Sequence, residues 1–439
     1  VKNAIGTQDP TPATRTWTID VTPPNTAVVS GPPSTNQLGL TSFDFSTNET
    51  GATFECSLDN AAFAACSDPL QQWIGNGAHT LKVRARDAAG NPDPTPATYS
   101  WTAALANIAF VLRAGSTNLG GLAGADAKCM AAAQAAGMQG TYKAWLSTSA
   151  VNAIDRLGGA RGWIRRDAKP FADTLATLVA GKVYFPLTLE ATGGFVNDFV
   201  VTGTLQDGKF AGAAGSCADW TTAGSSATAG YGESTRTSGA WSSEPGGSAS
   251  CNEVSGAIYC FGTDFTTQVA PPPPPAGARI AFVTKDKWSP AGGLTFADAI
   301  CQNDATVAGL TGTFKAALAT KSAGALARFS STGAPWMRVD GVPITTTTAA
   351  MFDPALAFFE TAISVTAAGA YVTEGFGGDA AAWSGPRLVA ATDTCLDWTT
   401  SSGSMFGSSG LSSITKTSLA FGASLPFCSN SFRLYCLQQ

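Results

Sequence analysis

The sequence predicts a multidomain chain: an all-β sandwich followed by two copies of one helix-and-strand domain. Three observations carry this. The stretch GGLAGADAKCMAAAQAAGMQGTYKAWL at 120–146 returns as GGLTFADAICQNDATVAGLTGTFKAAL at 292–318, so a domain is duplicated. Upstream, short alternating runs separated by turn residues read as strands. The ten cysteines fall as two, four and four among the three segments, and an even number in each is what a disulfide framework requires.

The opening stretch KNAIGTQDPTPATRTWT at 2–18 realigns with RDAAGNPDPTPATYSWT at 86–102. Residues 1–19 are therefore expected to be the end of one repeat, preceding a complete repeat at 20–104. Within the latter, strands are expected around Phe43, Thr53 and Thr80, with turns at Asp59-Asn60 and Gly90-Asn91. Cys56 and Cys66 flank a turn, so they should staple a hairpin. Asp87, Asn91 and Asp93 cluster in one loop, where oxygen ligands are a candidate calcium site; the same residues are also ordinary turn formers.

The first copy is expected over 105–265. Its apolar spacing and closing glycine, Gly137 here and Gly309 in the second copy, describe an amphipathic helix ended by a left-handed residue. Thr295 can cap the second helix, and Asp126 or Asp298 should sit in the first turn against the helix dipole. A half-buried strand follows, with Tyr142, Ala144 and Leu146 on one face. The run TAGSSATAGYGESTRTSG at 222–239 reads as a long loop, a usual location for binding groups. A proline-rich linker occupies 266–277, whose consecutive prolines favour an extended, semi-rigid spacer. The second copy fills 278–439.

Charge and composition exclude several classes. Hydrophobic residues make up 44% of the chain and charged residues 13%, with 48 glycines, which suits a loop-rich secreted protein. The net charge is −5 and no segment forms a basic footprint, so nucleic acid is not an expected partner. No run of 18 or more apolar residues suggests a membrane span. With a single histidine, His79, outside both copies, neither structural zinc nor triad chemistry has its parts. Asp219 and Asp397 recur beside cysteines and read as hydrogen-bonded structural carboxylates. The expectation is a protein that is not an enzyme, placed in an oxidising extracellular or cell-surface setting.

The pattern GGL, Ala-Asp, Cys, helix, Gly-x-x-Gly-Thr-aromatic-Lys-Ala, a distant Cys-x-Asp-Trp-Thr and a terminal Tyr-Cys resembles the endostatin-like domains of the C-type-lectin-like superfold. The FECSLD, GAHTLKVRARDAAGN and TPATYSWT elements resemble tandem immunoglobulin-like repeats of bacterial surface proteins. The resemblance implies an all-β immunoglobulin-like sandwich followed by two α+β C-type-lectin-like (endostatin-like) domains. Within a copy four cysteines allow three pairings; the resemblance implies the nested one, Cys129 to Cys260 and Cys217 to Cys251, then Cys301 to Cys436 and Cys395 to Cys428.

Function follows less directly, because the superfold hosts many binding activities. The architecture resembles that of adhesins in which such repeats carry a lectin-like domain outward, so a glycan or extracellular protein is the expected ligand, with other copies of the chain as the alternative partner. Trp163, Trp220, Trp336 and Trp398 recur and suit a core, although aromatic faces also stack on sugars. Trp145 stands where the second copy has Ala317. Arg165, Arg166 and Lys169 form the densest basic cluster, where endostatin-like domains suggest binding of sulfated glycans. Candidate ligand-binding residues are therefore Trp145, Trp163, Arg165, Arg166 and Lys169. No cofactor is expected apart from calcium in the immunoglobulin-like repeat. Glu244-Pro245-Gly246 is only a fragment of the calcium-binding lectin loop.

Overall fold

The computed structural model describes all residues except 1–3, 9, 10, 12, 213, 214, 245 and 373–380, so Pro245 of the lectin-type fragment lies outside the described residues. The chain is β-rich, with several sheets and short helices. It forms two compact units, residues 1–105 and 106–439.

In the first unit, Leu40–Thr47 alternates buried and exposed residues and pairs with Thr26–Ser30 and Leu70–Trp73. A second sheet orders Thr35–Asn36, Ala97–Ala103, Gly77–Arg86, Thr53–Leu58 and Ala64–Cys66. The apolar face of each must be covered, and Phe43 of the first packs edge-on against Trp101 of the second at 5.1 Å. Asp59 and Asn60 both have positive φ, at 51° and 63°, the geometry of a tight hairpin turn. The Cys56–Cys66 disulfide ties the two strands that this hairpin joins.

The second unit contains both copies, built to one plan. In the first, Asn107–Arg113 lies beside the last strand, Ala257–Gly262, in antiparallel register. In the second, Arg279–Val283 lies likewise beside Arg433–Gln438. Each main helix, Gly121–Ala135 or Gly293–Val307, is fastened to its sheet by a long-range disulfide, Cys129–Cys260 or Cys301–Cys436. Cys217–Cys251 and Cys395–Cys428 complete the nested pairing. Gly137 and Gly309 end the helices at φ 69° and 74°.

The helix starts differ from expectation. Glycines, Gly120 and Gly292, occupy the N-cap positions without a side-chain cap, so Thr295 is not one. Asp126 and Asp298 lie beyond the first turn; Asp126 accepts from the Ala144 amide and pairs with Arg156, and Asp298 accepts from Ala316 and pairs with Arg328. Each carboxylate thus joins helix, strand and the segment that follows the strand, a stronger demand than complementing a helix dipole.

The recurrent Cys-x-Asp-Trp is a single left-handed turn. Cys217, Ala218, Asp219 and Trp220 have φ between 48° and 67°, and Cys395 to Trp398 repeat this at 49° to 69°. Such a conformation costs roughly 1–2 kcal/mol per L-residue, so it persists only because its surroundings fix it. Asp219 accepts from the Ser149 amide at 2.9 Å and Trp220 Nε1 donates to Ser147 O at 2.8 Å. Asp397 and Trp398 bind the Lys321 amide and Ala319 O in the same way. The hydrogen bonds from Ser149 hold the Asp219 carboxyl below its ordinary value. These two acids act as structural clamps.

Candidate functional site: the seam between the repeats

Serine and threonine fill the stretch expected to be loop, and their small side chains let two backbones meet. Thr228–Glu233 is a strand and the following Ser234, Thr235, Thr237 and Ser238 are buried. They run antiparallel to the corresponding stretch of the second copy. The Thr237 amide donates to Ser413 O at 2.9 Å and the Thr415 amide to Thr235 O at 3.1 Å, with Arg236 opposite Ile414. Ser-Thr-Arg-Thr-Ser at 234–238 corresponds to Ile-Thr-Lys-Thr-Ser at 414–418, so Thr235 meets its own counterpart Thr415. The close approach needs glycine behind it: a Cβ on Gly232 would lie 2.0 Å from Trp241 O. The linker runs along this body too, since Val269 donates to Asp173 and Pro272 and Pro274 face Gly341.

Among the described residues, two cavities along the seam are lined from both copies. The larger, about 490 Å³, is bounded by Asp198, Phe199, Tyr231, Glu233, Arg236 and Glu244 of the first copy and by Lys416 and Leu419 of the second. Phe199 is half exposed and its ring rests on Tyr231 at 4.8 Å. Arg236 is buried and pairs with both Glu233 and Glu244 at 2.9 Å, so its charge is spent internally. Among the described residues Lys416 has no ion-pair partner within reach.

The smaller cavity, about 240 Å³, lies between Arg165, Lys169, Thr188 and Phe195 on one side and Phe358, Glu360 and Thr415 on the other. Lys169 Nζ reaches Glu360 at 2.6 Å across the seam, and Phe195 meets Phe358 at 4.8 Å. The related place on the far side is filled. There Arg338 is wholly buried, donates to Val183 O of the first copy and to Thr361 Oγ1, and pairs with Asp340, which also accepts from Tyr371. Burial alone would raise the Asp340 carboxyl, but the Arg338 charge and these hydrogen bonds prevail and hold it below the ordinary range. Burial likewise pushes the Tyr371 hydroxyl far up.

The residues anticipated as ligand-binding are therefore distributed unevenly. Trp145 is fully buried, with Nε1 donating to Ser242 Oγ and its ring against Trp241 and Phe261. Trp163 is equally buried and donates to Gly262 O. Neither presents a face to a ligand, because both complete the aromatic core of the first copy. The guanidinium of Arg165 is held by Asp167, Pro186 O and Thr188, so it lines the smaller cavity as a neutralised wall. Arg166 is half-buried and lines neither seam cavity. Of the five, Arg165 and Lys169 are brought together at the seam. Phe199 and Asp198 carried no repeat or motif signal, whereas Tyr231, Glu233 and Arg236 fall within 222–239, the stretch read as a long loop where binding groups are usual.

In the first unit Asp93 stands apart from the other two calcium candidates. Asp93 is occupied by the Thr26 and Thr95 amides, and Asn91 donates both its amide and its side chain to Asp87. Asp87 instead gathers with Asp20 and Glu49, the three carboxylate oxygens lying within 4.8 Å of one another, an arrangement of hard oxygen donors that suits a divalent cation. Burial and the charges of Asp87 and Asp20 raise the Glu49 carboxyl above its ordinary value. Asp20 and Glu49 are distant in sequence, so no local motif could have found them.

No protein-family model matches the chain, and no curated protein matches it.

Proposed function

We propose that the chain is a non-enzymatic extracellular binding protein of adhesin type. In this reading the first unit is an immunoglobulin-like stalk module and the two lectin-like repeats form one head that takes a glycan or protein ligand. The observation that carries it is the larger seam cleft, which neither repeat encloses alone; its volume falls in the range of ligand sites, about 300–1,000 Å³. Five disulfides support an oxidising, extracellular setting, and among the described residues no helix is long and apolar enough to cross a membrane. The test is to screen the full chain against glycans and extracellular proteins and to fill the cleft with Leu419→Trp. A ligand bound once per chain and lost in the variant is expected; a ligand bound twice per chain and indifferent to the variant contradicts the reading.

A self-assembling surface fibre or layer is favoured by a different observation. Phe406 and Phe427 stack at 4.7 Å while both remain more than two-fifths exposed, as do Leu396 and Leu425. Exposed apolar groups of this kind mark interaction surfaces when they gather. Light scattering of the full chain distinguishes the readings: a concentration-dependent polymer abolished by Phe406→Ser with Phe427→Ser supports the fibre, and a monomer at all concentrations rejects it.

A further inference from the structure

We infer that the larger seam cleft is a subsite for a neutral pyranose, with Phe199 as its stacking platform. This rests on the binding reading above and specifies its ligand. Phe199 begins the strand Phe199–Val201 and stands opposite Glu233 in the antiparallel register, which puts an aromatic ring and a carboxylate at the same level of the cleft. The ring is half in water, yet Tyr231 supports it from below at 4.8 Å, so its orientation is set before a ligand arrives. A large apolar side chain held rigidly at a cleft wall gains by covering its free face.

The polar groups around it select what can do the covering. Asp198, Glu233 and Glu244 place three carboxylates in the wall against Arg236 and Lys416; Arg236 is already paired to two of those acids, and Asp198 faces the exposed Arg113 at 3.8 Å and accepts from Ser255. A pyranose offers one face of C–H groups to a ring and a rim of hydroxyls that donate well to carboxylates. The Lys416 ammonium supplies a donor to ring or hydroxyl oxygens from the opposite repeat. A sulfate or carboxylate on the sugar would instead meet a wall in which three acids face two cations, a net negative charge that disfavours an anion in a partly enclosed site. The acceptor-rich wall and the platform thus favour neutral sugars over sulfated ones, reversing the expectation drawn from Arg165, Arg166 and Lys169.

The experiment uses the full chain on a printed array of neutral, sialylated and sulfated oligosaccharides, followed by titration of the bound compounds. Neutral glycans are expected to bind. Phe199→Ala should weaken them at least about tenfold with an unchanged melting midpoint, since the side chain is half exposed, and Asp198→Asn should weaken them by a smaller factor. Phe195→Ala, in the smaller cavity, should leave affinity unchanged. Binding confined to sulfated or sialylated glycans overturns the inference, and so does neutral-glycan binding that survives Phe199→Ala. A protein ligand sensitive to Leu419→Trp, with no glycan bound, overturns the sugar assignment while leaving the binding head intact. Absence of any ligand at the cleft overturns both.

Discussion

Arg165 and Arg338 occupy corresponding places in the two repeats, and each is closed onto an aspartate two residues later. Around Arg338 the fit is complete: Tyr371 caps the pair and the guanidinium crosses the seam to Val183 O. Around Arg165 the residue matching Tyr371 is Phe195, which has no hydroxyl to complete the network and rests half exposed on Phe358. The Tyr371 hydroxyl and the bond to Val183 O thus mark the sealed side of the seam, and their absence around Arg165 the open one. The duplication preserved the skeleton, and the two sides of its contact were free to take different tasks: one holds the repeats together, the other leaves space.

The comparison can be broken first at the skeleton, where the two copies should behave alike. Replacing both cysteines of Cys129–Cys260 or of Cys301–Cys436 with serine should cost up to about 5 kcal/mol, because each bridge closes a loop of similar length, 131 or 135 residues apart, and loop-closure entropy varies slowly with length. Chemical denaturation of the two variants checks this; a loss in one alone would show that the copies do not share a stabilising plan. The next effect should be unequal. Arg338→Ala leaves the partly buried Asp340 without its cation and is expected to cost about 3 kcal/mol, whereas Arg165→Ala should cost about 1 kcal/mol less, lacking a tyrosine partner and the bond across the seam.

The first of these changes also has a pH signature. The folded Asp340 carboxyl is depressed, so its contribution is full above the unfolded value, near 4, and is lost as pH falls through the lower folded value. Acid titration of stability should therefore be shallower in Arg338→Ala than in the parent. Trp220→Phe and Trp398→Phe each remove one buried indole hydrogen bond and should each cost about 1–2 kcal/mol, equally in the two repeats and without altering ligand choice. The smallest effect is at the seam hydroxyl: Tyr371→Phe should cost about 1 kcal/mol, while Phe195→Ala should change stability by under about 0.5 kcal/mol, half of that ring being already in water. Equal costs at these two positions would erase the distinction between sealed and open sides.

The repeated helix, its closing glycines and the even distribution of cysteines were legible in the sequence because local rules govern them. The Cys-x-Asp-Trp motif was visible as a recurrence, but its left-handed turn was not, since no propensity favours four such residues and only the combined clamps of Asp219, Trp220 and the disulfide impose them. The seam was hidden for a related reason. A run of glycine, serine and threonine carries the composition of a loop, and only a partner of the same kind turns Thr235 and Thr237 into buried ladder residues. The lack of a counterpart at Trp145 and the recurrence of Trp163 likewise put these two among the candidate binding faces, whereas both rings are buried in the core and the smaller Phe199 is left at the surface.

Whether the repeats act as one body is decided most directly by hydrogen exchange of the full chain at the Thr237 and Thr415 amides. Both donate across the seam, and both residues are buried. The account predicts protection close to that of the Ala257–Gly262 core strand. Exchange at the rate of a free loop amide, with the core strands still protected, would contradict it.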